Sequence, residues 1–171
     1  ISWSRYFPQL ADWFSKNLDS NWVNRVKALR ELLEKGEEIN RMMQVTGEEG
    51  VTASDFIVSQ KAQLLDMVYL QQDAFDAVDV SVPMERQQAL LKLVEQVIQH
   101  TPADHPAETD GGKSALRDFY TRLTGKLKNL NYAAWQSGDY LRLEQEVITM
   151  LAAPADADDT VATQTTEEDA G

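Results

Sequence analysis

The stretch Gln88-Ala89-Leu90-Leu91-Lys92-Leu93-Val94-Glu95-Gln96-Val97-Ile98 places apolar residues at positions 90, 93, 94, 97 and 98. Spacings of three and four residues put these side chains on one face of an α-helix, because the helix repeats every 3.6 residues. Ser81 and Pro83 precede the stretch, and both residue types are frequent at helix starts. The stretch therefore predicts an amphipathic helix whose apolar face packs against other helices.

The same spacing predicts two helices earlier in the chain. The first can be capped by Asp19 or Ser20 and can end at Gly47. Its apolar positions are Trp22, Val26, Leu29, Leu33, Ile39 and Met43. The second is predicted over residues 54–72, with Ile57, Leu64, Leu65 and Val68 on one face. Residues 73–81 lack a sustained apolar spacing, so they predict an ordered connection.

The second half of the chain predicts a loop, two helices and a tail. Residues 101–112 are polar and contain two prolines and a double glycine, which favours a flexible loop. One helix then carries Leu116, Phe119, Tyr120, Leu123, Leu127 and Leu130, and another, after Gly138, carries Tyr140, Leu143, Val147, Ile148 and Leu151. Residues 153–171 are acidic and almost without large aliphatic side chains, so burial cannot offset the entropy of ordering them. We predict an all-α bundle of five or six helices over residues 1–152, followed by a disordered, flexible acidic tail over residues 153–171.

The composition narrows the possible partners. The net charge is -12, which disfavours a nucleic-acid or anionic-membrane binder, since both need clustered lysine and arginine. There is no cysteine, and no apolar run approaches the roughly 20 residues that cross a bilayer, so we expect no direct membrane insertion. No signal peptide opens the chain, and its first residue is Ile1. We expect Ile1 to lie within a longer polypeptide.

Gly111-Gly112-Lys113-Ser114 is similar to the end of a phosphate-binding loop. That motif requires a glycine five positions before its second glycine, and a buried strand ahead of it. Here the position is Ala107, and Pro102 and Pro106 lie in a polar stretch where the strand would be. The tetrapeptide therefore predicts a helix start after a loop.

Other residues that often carry chemistry also lack the required pattern. His100 and His105 do not have helical metal-ligand spacing, so they predict exposed loop histidines. The acidic pairs Glu37-Glu38 and Glu48-Glu49 predict solvated surface, because nothing indicates two environments that would separate their pKa values. No nucleophile elbow or glycine-rich dinucleotide motif is present. We predict no catalytic residue and no metal ligand in this chain.

Two stretches resemble the catalytic A subunit of V/A-type rotary ATPases and ATP synthases. The first is Ile1-Ser2-Trp3-Ser4-Arg5-Tyr6, followed by Trp13 and Asn21-Trp22. The second is Leu70-Gln71-Gln72-Asp73-Ala74-Phe75-Asp76-Ala77-Val78-Asp79, close to the family pattern Leu-Gln-Gln-Asn-Ala-Phe, a variable pair and Val-Asp. Glu85-Arg86-Gln87 is similar to the family's Glu-Lys-Gln helix. The resemblance is strong over residues 1–98 and weak after Thr101, and it implies the C-terminal helical domain of that subunit.

The resemblance implies that Phe75 contacts the adenine of a bound nucleotide, with Gln71, Gln72 and Asp73 supporting the loop. The alternative from the residues alone is that Phe75 is a core residue where helices meet. At Asp73 the family usually has asparagine, and the substitution keeps an acceptor but loses a donor. ATP or ADP with magnesium is implied for the intact subunit, whose phosphate-binding loop, catalytic glutamate and magnesium ligands would lie upstream of Ile1. We expect no cofactor and no activity for this chain alone.

The resemblance also implies a mechanical role. The domain would transmit nucleotide-driven motion to the central stalk, through the turn at Glu48-Glu49-Gly50 or the turn from Asp79 to Glu85. Its implied partners are the B subunits, the central-stalk subunits and the nucleotide-binding domain of the same chain. The implied location is cytoplasmic and peripheral to the membrane, within a complex that moves protons or sodium ions. The alternative is a free-standing helical adaptor that binds proteins, with a docking face formed by Trp3, Tyr6, Phe7 and Trp13.

Overall fold

The computed structural model describes residues 7–102 and 110–152. Within them the chain forms α1 (Phe7–Asn17), α2 (Trp22–Thr46), α3 (Ala53–Leu65), α4 (Met84–Gln99), α5 (Asp110–Tyr132) and α6 (Gly138–Ala152). A 3₁₀ turn at Glu48–Gly50 joins α2 to α3, and a wide π-type turn at Asp66–Leu70 ends α3. These residues contain no strand, so the predicted all-α fold is confirmed. The predicted tail, residues 153–171, lies outside the described residues.

The predicted apolar faces meet in one core. The stripe of α4 is buried, with Val94 and Val97 almost inaccessible to solvent. The inner face of α5 follows the same helical spacing, and its fully buried side chains are Leu116, Tyr120, Leu123, Leu127 and Leu130. Full burial of a leucine-sized side chain contributes roughly 1.5–3 kcal/mol, so this core is the main source of stability.

The helices α2 and α3 form an antiparallel pair that crosses closely at Gly36. A methyl group at Gly36 would collide with the Cβ of Ala62 in α3, so the two backbones approach where no side chain separates them. Beside this crossing, the Ser59 hydroxyl donates to Asn40 Oδ1 at 2.6 Å. Close packing and this hydrogen bond make the pair a single stiff unit.

An ion pair joins the start of α2 to α4. The Arg25 guanidinium donates to Glu95 through Nε (2.7 Å) and Nη2 (2.6 Å), which is a bidentate arrangement. Its Nη1 donates to Asp19 at 2.8 Å. The arginine and Glu95 side chains are both largely shielded from water, so screening by salt is weak. This contact fixes the orientation of the start of α2 relative to α4.

Several helix boundaries differ from the sequence prediction. The cap position of α2 is Asn21, not Asp19 or Ser20, and Asp19 instead accepts the Asn21 amide at 3.0 Å. Gly47 ends α2 as predicted, with a φ of 77°. The first helix, α1, was not predicted separately. The predicted loop over residues 101–112 is too long, because α5 begins at Asp110 and includes the double glycine.

Candidate functional site

The segment between α3 and α4, residues 71–83, is called the Phe75 loop below. It begins where the wide turn of α3 ends, with the Gln71 amide donating to Asp66 O at 2.9 Å. It ends at Pro83, which occupies the cap position of α4. The predicted ordered connection is therefore confirmed as a chain of turns between two buried helices.

Aspartate side chains hold the backbone of the Phe75 loop. Asp79 is buried, and its Oδ2 accepts the amide of Asp73 at 2.6 Å. Asp73 Oδ1 in turn accepts the amide of Phe75 at 2.9 Å. Asp76 Oδ1 accepts the amides of Val78 (2.8 Å) and Asp79 (2.9 Å). Such side-chain-to-backbone bonds replace a regular ladder and fix the loop in one conformation.

The residues predicted to support the loop make hydrogen bonds within it or to the turn that precedes it. Gln72 Nε2 donates to Asp79 O at 2.5 Å, across the width of the loop. Gln71 Nε2 donates to Asp66 Oδ2 at 3.0 Å, at the end of α3. Asp73 acts only as an acceptor in its side-chain contacts, so the donor that an asparagine would supply is not needed for them.

Phe75 is fully exposed, with a relative accessibility of 101%. The alternative that it is a core residue is therefore wrong. Leu70, Val80 and Met84 are also about half exposed, at the two ends of the loop. An exposed aromatic ring on such a loop can contact a binding partner. Because hydrogen bonds already fix the backbone, the loop loses little conformational entropy on binding.

The electrostatics around the ring are negative. The Tyr132 hydroxyl lies 3.5 Å from Asp73 Oδ2. Desolvation raises the pKa of Tyr132, and the charges of Asp73, Asp79 and Asp76 raise it further. The Phe75 loop contains no lysine or arginine. The loop itself therefore offers a phosphate no cation, whereas its flat apolar ring can stack on the uncharged face of a base.

A family model places this geometry in context. The model that matches is the C-terminal domain of V and A type ATP synthase, and it covers residues 11–107. This range contains most of α1, the helices α2 to α4 and the whole Phe75 loop, and it is more than half of the chain. The chain belongs to this family.

Three relatives of this ATP synthase domain extend the match. The V-type ATP synthase alpha chains of Protochlamydia amoebophila and Chlamydia pneumoniae are 33% and 37% identical over 151 residues, 88% of this chain and 24% of each relative. The alpha chain of Borrelia garinii subsp. bavariensis is 35% identical over 150 residues, 86% of this chain and 25% of the relative. The chain thus spans about a quarter of the length of these relatives.

The comparisons differ in how far along the chain they extend. The family model ends at residue 107, whereas a match of 151 residues in a chain of 171 must also include most of α5 and α6. The family-model match starts at residue 11, so the stretch from Ile1 to Tyr6 lies outside that match.

Lys113 of this ATP synthase domain has a structural role. It is buried, and its ammonium donates to the carbonyl oxygens of Glu48 (2.6 Å) and Val51 (2.9 Å). Because these bonds occupy the ammonium, Lys113 ties the start of α5 to the turn between α2 and α3. Sequence reasoning could not find this contact, since its partners lie more than 60 residues away.

The other singled-out residues are also engaged structurally or exposed. His100 packs near the Phe119 ring, with centroids 6.0 Å apart, and burial lowers its pKa. Glu37 pairs with Arg41, and Glu48 pairs with Arg117. His105 lies outside the described residues. Across residues 7–102 and 110–152, no three metal-binding side chains cluster.

Three surfaces that the sequence predicts for protein contacts can be located, in whole or in part, among the described residues. Next to the Glu48–Gly50 turn, Met42 and Val45 are exposed, Val45 to 87%. The segment from Asp79 to Glu85 exposes Val80 and Met84. Of the predicted aromatic docking face, Trp13 is half exposed and packs edge-on against Phe14 at 5.5 Å, while Trp3 and Tyr6 lie outside the described residues. None of the described helices is long and apolar enough to span a membrane.

Proposed function

We propose that this domain serves the catalytic subunit of an ATP synthase or ATPase in two ways. It adds Phe75 to the adenine pocket, and it transmits nucleotide-driven motion to the central stalk. The complex would couple ATP synthesis or hydrolysis to the transport of protons or sodium ions. The observation that carries the proposal is the fully exposed ring of Phe75, on a loop fixed by hydrogen bonds, in a member of this family.

The adenine contact is supported by the chemistry of the loop. An aromatic ring stacks on a base for roughly 1–3 kcal/mol, and it needs no charge to do so. The aspartates that fix the loop use their oxygens on backbone amides, so the ring is placed without being covered. Phosphate and magnesium would be held by the nucleotide-binding domain of the same subunit.

Replacing Phe75 in the assembled enzyme tests this contact. We expect Phe75→Ala to weaken ATP binding by about 5- to 150-fold, the range that corresponds to 1–3 kcal/mol, while helix content is retained. Leu141→Ala is the matched control, because Leu141 is an exposed apolar residue on α6. Unchanged ATP affinity in a folded Phe75→Ala enzyme would contradict the adenine contact.

The chain by itself should not turn over ATP. Its 171 residues contain no complete phosphate-binding loop, and one stacking face cannot offset the freedom that a nucleotide loses on binding. We expect phosphate release from purified chain with ATP and magnesium to equal the background rate. Hydrolysis that co-purifies with the chain and depends on its residues would overturn this expectation.

The mechanical role is supported by the stiffness of the bundle. The close α2–α3 crossing and the Arg25–Glu95 pair allow the helices to move as one body. The candidate stalk contacts are the Glu48–Gly50 turn and the segment from Asp79 to Glu85. The B subunits would be neighbours, and the complex would place the domain at the cytoplasmic side of a membrane. Family membership favours this role over a free-standing adaptor.

Cross-linking can identify the contact with the stalk. Because these 171 residues contain no cysteine, a single cysteine at Glu49, at Val80 or at the control position Thr149 places a photo-cross-linker at one known position of this domain. We expect Glu49→Cys or Val80→Cys, but not Thr149→Cys, to cross-link to a central-stalk subunit in the assembled complex. If neither joins to the stalk, the proposed transmission through these turns is wrong.

A further inference from the structure

The side chain of Asn131, in the last turn of α5, holds the start of the Phe75 loop. Asn131 is buried at 8% exposure, and its Nδ2 donates to Val68 O at 2.7 Å. Val68 lies in the wide turn that ends α3, where backbone carbonyls lose their regular helical partners. The asparagine amide therefore completes the hydrogen bonding of the turn that leads into the loop.

Arg86 holds the other end of the loop to the same turn of α5. It lies in the first turn of α4, is 3% exposed, and donates through Nη2 to the carbonyls of Leu130 (3.0 Å) and Asn131 (2.6 Å). Its guanidinium also lies 5.9 Å from the centre of the Tyr140 ring. A cation at a helix C-terminus interacts favourably with the carbonyl dipoles, and burial strengthens that interaction.

The ring of Phe75 makes no packing contact that could direct it, because it is fully exposed. The backbone of the loop therefore fixes the position from which the ring projects. We infer that the last turn of α5, Leu130–Tyr132, sets the position of Phe75, with Asn131 and Arg86 as its positioning residues. The Tyr132 hydroxyl, 3.5 Å from Asp73 Oδ2, adds a third contact near the start of the loop.

Asn131 lies beyond residues 11–107, so the helix that supports the loop comes from the part of the chain outside the family-model match. The consequence for nucleotide affinity rests on the proposed function. The positioning of the loop does not, because it concerns contacts within this chain alone.

Amide hydrogen exchange in the 171-residue chain tests the positioning directly. We expect Asn131→Leu to accelerate exchange at Asp73, Phe75 and Asp79 by about tenfold, a factor that corresponds to 1.4 kcal/mol, while amides at the α2–α3 crossing keep their rates. Asn129→Leu is the matched control, since Asn129 is an exposed asparagine in the same region of α5. It should leave the loop amides unchanged.

Two results would overturn the positioning role. One is an unchanged exchange rate in the loop of a folded Asn131→Leu chain, and the other is equal acceleration at loop and core, which is ordinary loss of stability. If Asn131→Leu does not fold, Arg86→Lys decides, because it keeps the positive charge but loses the guanidinium geometry. Loop-specific acceleration in that variant supports the inference, and its absence rejects it.

Steady-state kinetics of the assembled enzyme separate this inference from the adenine contact. We expect Asn131→Leu to raise KM for ATP several-fold and leave kcat unchanged, with Phe75→Ala as the reference. If loop exchange accelerates but neither variant changes KM, the positioning stands and the adenine contact fails. If Phe75→Ala raises KM and Asn131→Leu does not, the adenine contact stands and the positioning role for nucleotide binding is rejected.

Discussion

The crossing of α2 and α3 at Gly36 provides a direct test of the fold. Gly36→Ala changes the free energy of unfolding in two opposite ways. Alanine is the better helix former by about 1 kcal/mol, which favours the variant. The added methyl group, however, meets the Cβ of Ala62, and the Cα of Ala62 and the carbonyl of Val58 lie 3.7 and 3.8 Å from it. Ordinary carbon separations are about 3.5–4.0 Å, so α2 and α3 must move apart.

The steric overlap with Ala62 should outweigh the gain in helix propensity. Overpacking a well-packed interface costs typically 1–3 kcal/mol, and this one is the most extensive helix contact in the described chain. Both overlapping atoms are Cβ carbons bonded directly to the backbone, so neither can rotate away. We therefore take about 3 kcal/mol for the overlap, subtract about 1 kcal/mol for the better helix propensity, and expect a net loss of about 2 kcal/mol in the free energy of unfolding. In a domain of this size, that loss lowers Tm by roughly 4–8 °C. Urea unfolding followed by far-UV circular dichroism measures it.

Two further variants isolate the clash. Gly125→Ala is the matched control, because Gly125 is an exposed helical glycine with no atom within 4 Å of an added Cβ. It should raise stability by up to 1 kcal/mol. Ala62→Gly combined with Gly36→Ala should recover part of the loss, since it removes the colliding methyl group. If Gly36→Ala stabilises the chain as Gly125→Ala does, the close crossing described here is wrong.

Other contacts yield further expectations. Arg25→Met should cost about 2 kcal/mol by removing a shielded bidentate pair, and a double-mutant cycle with Glu95→Gln should show coupling that survives added salt. Lys113→Met should lose about 1–3 kcal/mol in urea unfolding, because two backbone carbonyls lose a buried donor. Tyr120→Phe should leave stability unchanged or raise it by about 1 kcal/mol, since its buried hydroxyl finds no hydrogen-bond partner in residues 7–102 and 110–152, and a clear loss would contradict that placement. Burial raises the pKa of Tyr140 to about 12, so its contribution to stability should be complete below pH 10 and lost between about pH 10 and pH 12, which chemical unfolding of wild type and Tyr140→Phe at each pH can measure.

The helices could be predicted from sequence because their signals are local. The α4 stripe and the ending of α2 at Gly47 follow from spacing and backbone preference, and both are confirmed. The sequence predicts a later start for α5 than the observed Asp110, because glycines usually indicate a loop, although the first turn of a helix tolerates them. No comparable local signal marks the wide turn at the end of α3, so the helix predicted over residues 54–72 extends through it.

The candidate site was only partly accessible to sequence reasoning. A motif match could single out Phe75, but residue type alone favours burial for phenylalanine, and exposure here depends on turns built from three aspartates. The contacts of Arg86 and Asn131 join residues 44 to 63 positions apart. Only the packed arrangement of α3, α4 and α5 brings such residues together, so no local pattern can reveal them.

The wide turn at Asp66–Leu70 has a consequence for insertions and deletions. The Gln71 amide bonds to the residue five positions earlier, so the turn holds one residue more than α-helical geometry would. One residue of an α-helix corresponds to a rotation of about 100° and a rise of about 1.5 Å. A single-residue deletion here would let the regular helix continue. The Phe75 loop would then leave α3 rotated by roughly a quarter of a turn about the helix axis. The number of residues in this turn, rather than their identity, therefore determines the direction in which the chain leaves α3 and the position of Phe75.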